Sequence, residues 1–320
     1  GVVDLEGNLS INDIAPYATR IPVDNNKKYD KEFVGDRLAY QEIKDTSVLV
    51  ELPKRFTKQD IRSLILSYKY NELEKIMDMN YDLRSDKRIR LSERVIFPAA
   101  SGECRGMEDL RLVEFKNRRE EPIYYGTYTA YNGKRIRSQL IETRDFSNFS
   151  VRSLYGPAID DKGMALFPEK IDGQYAIIGR HGGEKLTIMF SDDLYYWKDY
   201  ATLMEPKYDF EIIQIGNNGS PIKTKMGWLL LTHGVGTMRR YSTSAALLDL
   251  ENPEKVIARL EYPLIEPLEE EREGYVPNVI YSCGSMLHGD ILYIPYAMSD
   301  TMIGFGYVKI DDLLTELLKR

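Results

Sequence analysis

Nine residues bring two adjacent carboxylates, two guanidinium groups and a thiol together: Cys104-Arg105-Gly106-Met107-Glu108-Asp109-Leu110-Arg111-Leu112. Two adjacent carboxylates between two guanidinium groups can act as proton donor, base or ion-pair partner. Gly106 lets the backbone approach another group closely. Leu110, Leu112, Val113 and Phe115 then read as strand, where neighbouring side chains point to opposite faces. Glu108 and Asp109 are therefore expected to meet different partners, one an arginine and the other a cleft. Taken alone, such a cluster is more often a surface ion-pair network than a site.

Other reactive residue types are sparse. His181, His233 and His288 stand in separate segments without ligand spacing, so no metal site is expected. Cys104 and Cys283 are too few for a disulfide framework and read as reduced thiols. The 320 residues are 43% hydrophobic, enough for a large buried core, and no apolar run approaches a membrane span. The formal charge of −7 argues against nucleic acid, whose phosphates demand a basic face. Neither nucleic acid nor membrane is an expected partner, and a cytoplasmic location is expected. The 23 tyrosines suit half-buried strands and sugar clefts alike.

The elements that must position these groups are mostly strands. Residues 1–11 read as strand and turn, and residues 16–46 are polar and aperiodic. Thr57 and Asp60 resemble a capping box, followed by Ile61, Leu64, Ile65 and Tyr68 at helical spacing. Leu73, Ile76 and Met77 repeat that spacing, which predicts a small helical insertion over about 57–79. After residue 90 one grammar recurs four times: strand, short polar loop, strand, acidic turn. It begins at Tyr124, Tyr175, Trp228 and Ile291. A repeat of roughly 50–60 residues of antiparallel strand suggests propeller blades.

With these motifs in place, residues of roughly 90–310 resemble glycoside hydrolase family 130, the β-mannoside phosphorylases and β-mannosidases. Gly106-Met107-Glu108-Asp109-Leu110-Arg111 resembles the family's Gly-x-Glu-Asp-Pro-Arg, with Leu110 for proline. Lys162-Gly163-Met164-Ala165-Leu166-Phe167-Pro168, Arg180 and Gly219-Ser220-Pro221-Ile222-Lys223 follow in order. Glu273, Gly274, Tyr275, Pro277 and Asn278, then Tyr296 and Asp300, complete the series. The resemblance implies an all-β, five-bladed propeller over residues 1–320 with the active site on its axis. No counterpart of the family's N-terminal segment is found before residue 90, so an incomplete first blade is expected. A partner supplying that blade, or self-association, is the corresponding expectation.

The resemblance also implies roles. Asp109 would be the general acid, delivering its proton through a mannosyl hydroxyl. Lys162, Arg180 and Lys223 would hold inorganic phosphate as co-substrate, and His233 is a further candidate donor beside them; no other cofactor is expected. Glu108, Arg111, Tyr131, Tyr275, Asn278, Tyr296 and Asp300 would contact a mannose-containing oligosaccharide. The implied reaction is cleavage of β-mannosides with inversion, foremost phosphorolysis to α-mannose 1-phosphate. An inverting hydrolase with Glu273 as base is the alternative, with Glu211 a weaker candidate base that reads as structural. A non-catalytic carbohydrate-binding propeller is a third reading. Linkage and acceptor sugar stay open.

Overall fold

The computed structural model describes residues 2–3, 6, 8–10, 18–40, 49–50, 52–64, 71–116 and 122–319. Each of the four sequence repeats builds its own antiparallel sheet. The first comprises Tyr81–Arg84 (β1), Gly106–Phe115 (β2), Ile123–Tyr131 (β3), Ile136–Thr143 (β4) and Asn148–Ser153 (β5), ordered β1-β5-β4-β3-β2. The second runs Ala165–Leu166 (β6), Tyr175–Gly179 (β7), Leu186–Ser191 (β8) and Ala201–Met204 (β9) in chain order. The third has Gln214–Asn217 (β10), Ile222–Lys223 (β11), Trp228–Val235 (β12), Tyr241–Leu248 (β13) and Val256–Arg259 (β14), with both β10 and β11 on β12. In the fourth, Ile280–Tyr281 (β15), Met286–His288 (β16) and Met302–Lys309 (β18) all pair with Ile291–Met298 (β17).

Successive sheets pack face to face, which explains their unbroken apolar strands. Trp228 and Leu230 of β12 enter the core shared with the second sheet, beside Phe167 and Ile178. Leu229 and Leu231, pointing the other way, enter the core shared with the fourth, beside Leu292 and Ile294. A strand covered on both faces loses the polar half of its alternation. Leu140, Leu166, Ile177 and Trp197 fill the space between the first and second sheets. This is the propeller arrangement.

The blade count differs from expectation: the described residues form four blades, not five. The described residues before β1 make only two-residue ribbons, Val2–Val3 with Leu9–Ser10 and Tyr29–Asp30 with Arg55–Phe56, too short to build a blade. Thr19–Arg20 pairs in parallel with Arg94–Val95. The apolar residues of this region gather around helices instead, with Val34, Leu38, Phe56, Ile61, Leu73 and Met77 in one cluster.

Those helices are Lys31–Tyr40 (α1), Lys58–Leu64 (α2) and Asn71–Asp78 (α3). At α2 the capping box forms: Thr57 N donates to Asp60 Oδ2 at 2.6 Å, and Asp60 N to Thr57 Oγ1 at 3.3 Å. Ile65 and Tyr68 of the expected helical face lie outside the described residues. Helix α1 falls where the sequence reads as aperiodic. Asp30 Oδ1 accepts from Glu32 N at its start (2.9 Å), a cap that could have signalled it. Ile310–Leu318 (α4) was not anticipated either; Ile310, Leu313, Leu314 and Leu317 seal the core between the third and fourth sheets.

A further repeat is visible only in three dimensions. Short 3-10 turns ending at Glu103, Glu211 and Glu271 precede β2, β10 and β15. Each glutamate is buried and accepts backbone N–H groups from the start of its turn. Glu103 takes Ala99 and Ala100 (2.9 and 3.1 Å), Glu211 takes Lys207 and Tyr208 (3.0 and 3.3 Å), and Glu271 takes Leu268 (2.9 Å). Each carboxylate is then tied to its own sheet: Glu103 by the Tyr81 and Tyr128 hydroxyls, Glu211 by Arg259, Glu271 by Tyr296. The turns thereby anchor the approach to three of the strands that face the axis.

Candidate active site

Asp109 does not follow simple strand alternation. Between Glu108 and Arg111 the β2–β3 register shifts, so two residues oppose one. Asp109 takes a left-handed φ of 61° in this bulge. A bulge re-aims a side chain that the pleat would send elsewhere, and it turns Asp109 across the axis to the fourth sheet. Its Oδ2 accepts from the Tyr281 hydroxyl at 3.1 Å, and its Oδ1 lies 3.9 Å from Cys283 Sγ. Arg111, almost wholly buried, donates to Tyr281 Oη at 2.6 Å and to the Asp109 carbonyl at 3.2 Å. Glu108 instead meets Lys162 at 3.1 Å. The two carboxylates thus have different partners, as alternation suggests, but the bulge decides where Asp109 points.

The surroundings set the protonation of the neighbours. Burial raises the Tyr281 hydroxyl, with Arg111 opposing and Asp109 adding. Burial likewise pushes the Cys283 thiol up to about 12, so it is a poor nucleophile at neutral pH. Arg111 keeps its charge: burial pulls its pKa down, but Tyr281, Cys283 and Asp109 raise it by more. His233 is held well below the usual imidazole range by burial, then by the fields of Arg180 and Arg111.

Neutral His233 is locked in place. Its Nδ1 lies 2.7 Å from Asn218 Oδ1, while Asn218 Nδ2 donates to Thr232 O and Thr243 Oγ1. With the amide oriented by those bonds, Nδ1 carries the proton. The ring lies over Gly216, where a Cβ would come within 2.4 Å of Nε2. It also meets the edge of Tyr281 at 5.1 Å and stacks on Tyr241 at 5.7 Å. His233 therefore packs behind the inner strand and orients Tyr281; its proton is already given to Asn218.

The expected phosphate cations divide. Lys162 and Arg180 come together, both close enough to act on His233. Lys162 pairs with Glu108, and Arg180 Nε with Asp161 Oδ2 at 3.3 Å. Lys223 stands apart. It pairs across from Trp228, five residues before His233 on β12, or about 17 Å along the strand. There it is bound by Glu169 and lies over the Trp228 ring.

The expected sugar contacts of the C-terminal part form a rim on the fourth sheet. Tyr275 N donates to Thr301 Oγ1 (3.2 Å), and Val276 N to Ser299 O (3.0 Å). Asp300 sits in the tight turn that this loop embraces, with φ 52°. Glu273 is exposed beside Gly274, Tyr275 is 87% exposed, and Tyr296 donates to Glu271 at 3.3 Å. Asn278, at φ 63°, accepts from Tyr241 N at 3.0 Å and so links this rim to the His233 cluster. Tyr131 ends β3 opposite Gly106, 39% exposed. Glu211, buried against Arg259 at 2.6 Å, has the structural place its sequence context suggests.

Nothing in the sequence marks Tyr281, Asn217 or Asn218 as part of this cluster. Tyr281 lies 172 residues from Asp109, and no local pattern marks it. Asn217 Oδ1 is buried without a protein partner and faces Gly163, whose added Cβ would lie 3.4 Å away. Among the described residues no His, Cys, Asp and Glu converge as a metal-holding group.

Comparison with known proteins decides the family. The model described as beta-1,4-mannooligosaccharide phosphorylase, of glycoside hydrolase family 130, matches residues 57–320. The chain belongs to glycoside hydrolase family 130. Among curated family 130 relatives, a 1,2-beta-oligomannan phosphorylase of Thermoanaerobacter sp. (strain X514) is 37% identical over 229 residues, 70% of this chain and 75% of the relative. A beta-1,2-mannobiose phosphorylase of Listeria innocua is 30% identical over 69% of this chain. The solved structure of the Listeria enzyme with beta-1,2-mannobiose superposes with a TM-score of 0.63. This chain spans 63% of the Listeria enzyme's length.

Proposed function

We propose that this family 130 chain is an inverting β-mannoside phosphorylase that takes β-1,2-linked mannosides and inorganic phosphate. One observation carries the reading. Asp109, held by Tyr281 across the axis, stands next to Glu108, which draws the Lys162 cation to the same place. An acid and cations at one locus are what phosphorolysis needs: a proton for the leaving oxygen and charge to hold the attacking dianion. The β-1,2 preference rests on the relatives with the widest coverage, from Thermoanaerobacter and Listeria.

In this mechanism the mannosyl unit binds between Asp109 and the rim of the fourth sheet. Lys162 and Arg180 turn from their carboxylates to hold phosphate on the opposite face of the sugar. A phosphate oxygen attacks the anomeric carbon as its bond to the bridging oxygen breaks. Asp109 supplies the proton that the departing oxygen takes, through a hydroxyl of the bound sugar. Attack from the face opposite the leaving group converts the β-mannoside to α-mannose 1-phosphate. Asp109 is reprotonated from hydrogen phosphate or water.

The test is a product assay on β-1,2-mannobiose and β-1,4-mannobiose, with and without phosphate. Mannose 1-phosphate should form from the β-1,2 substrate only when phosphate is present. Free mannose at the same rate without phosphate would replace this reading with hydrolysis and turn attention to Glu273.

A further inference from the structure

A cavity of about 400 Å³ lies outside the axial cluster, between α1, the end of α3 and the edges of β4 and β5. Arg37, Tyr40, Asn80, Arg135, Arg137 and Tyr155 line it, together with Asp160 and Asp161. Its size suits a small polar ligand. We infer that this cleft is a second anion-binding site, fitted to a phosphomonoester on a ring of monosaccharide size. The inference does not depend on the phosphorylase reading.

Arg37 carries the argument. It is only 4% exposed, yet no carboxylate pairs with it among the described residues. Its Cζ lies 3.2 Å from the centre of the Tyr155 ring, one Nη donates to Ser153 O at 3.2 Å, and its Nε has no partner. A guanidinium buried with no carboxylate in contact is costly; Asp193 and Asp36 favour its charge only from a distance, and the Phe33 and Tyr195 rings lie against it besides Tyr155. Burial is the main cause that pulls its pKa down, to about 9. A bound dianion would supply a negative charge at the cleft's buried cation.

The rest of the lining agrees. Arg135 and Arg137 reach the same space without an ion pair among the described residues, and Lys134 joins them in an adjoining depression. Of the two carboxylates, Asp161 is engaged by Arg180 at 3.3 Å, and Asp160 is largely exposed, 3.9 Å from His181. Cations therefore outnumber free carboxylates here, in a protein of net charge −7. Tyr40 and Tyr155, edge to face at 5.4 Å, offer ring surface beside the charge. Asp161 is shared with the active-site cation Arg180, so an occupant would touch a wall of both sites.

The whole chain is titrated calorimetrically with inorganic phosphate, α-mannose 1-phosphate and neutral β-1,2-mannotriose. Arg37→Met could unfold α1, so the exposed pair Arg135→Ala/Arg137→Ala provides the test, with Arg180→Ala removing the axial contribution. The expected result is an anion site that survives Arg180→Ala and weakens at least tenfold in the Arg135/Arg137 variant, at an unchanged melting temperature. The sugar phosphate should bind it more tightly than phosphate alone. The proposal is overturned if Arg180→Ala abolishes all anion binding. It is equally overturned if the Arg135/Arg137 variant titrates as wild type, or loses mannotriose but neither anion.

Discussion

Asp109 is proposed as the acid, and its surroundings predict how it fails. Asp109→Asn should lower kcat by about 10²–10⁴-fold while phosphate still binds, read from mannose 1-phosphate release and calorimetry. Tyr281 is its positioning residue. Tyr281→Phe removes Asp109's donor and Arg111's acceptor. A loss of about 10–100-fold in kcat is expected, with a displaced pH–rate profile. A Tyr281 that only packs would lower the melting temperature and leave that profile in place. Arg180→Ala should raise the KM for phosphate about tenfold or more, whereas Lys223→Ala, bound to Glu169 and distant, should leave it near the wild-type value. His233 gives a pH test of the fold. Its folded pKa lies well below its unfolded value, through burial first. Below pH 6.5 the unfolded chain binds a proton that the folded chain refuses. Stability should therefore fall with pH there, by up to about 1.4 kcal/mol per unit. A His233→Asn variant should show a shallower fall in urea titrations between pH 6.5 and 5; an equal slope would contradict the buried neutral imidazole.

The turns before the axial strands show how an element holds a site it does not touch. Glu103 gathers two hydroxyls and two backbone N–H groups, all inside the protein. Glu103→Ala leaves those donors without an acceptor and should cost about 2–4 kcal/mol in denaturant unfolding. In the acidic run Glu269-Glu270-Glu271-Arg272-Glu273, Glu271→Ala should be destabilising because that side chain is buried, while exposed Glu273→Ala should stay within about 0.5 kcal/mol. A run of five residues that reads as a solvated loop thus contains one buried member, the one that repeats the position of Glu103 and Glu211.

For the whole molecule, stability resides between blades. Trp197 is fully buried between the first and second sheets, and its backbone N–H donates to Tyr155 O at 2.9 Å. Trp197→Ala should cost about 3–5 kcal/mol, measured by chemical unfolding. Asp109 joins the first sheet and Tyr281 the last, so loosening any blade contact alters their distance. Activity should accordingly fall before the secondary structure does when the protein is heated.

Local physics made much of this legible in the sequence. Paired apolar strands with acidic turns recur four times because a strand's pattern is set by its own two faces, and four sheets resulted. The Glu108-Asp109 motif and the capping box at Thr57 are short-range features that the residue types expose, whereas Lys162 and Arg180 stand out only through the family resemblance. Tertiary structure decided the rest. The family resemblance suggested five blades, but the number of blades depends on how sheets pack on one another, which no single repeat encodes. The bulge at Asp109 depends on its pairing with β3, and Tyr281 reaches it only because the fourth sheet comes round to face the first. Lys223 matched a motif yet sits at the far end of its strand pair, because register, not residue type, determines which cations share a space. Glu271 looked like its exposed neighbours since burial is a property of the surrounding fold.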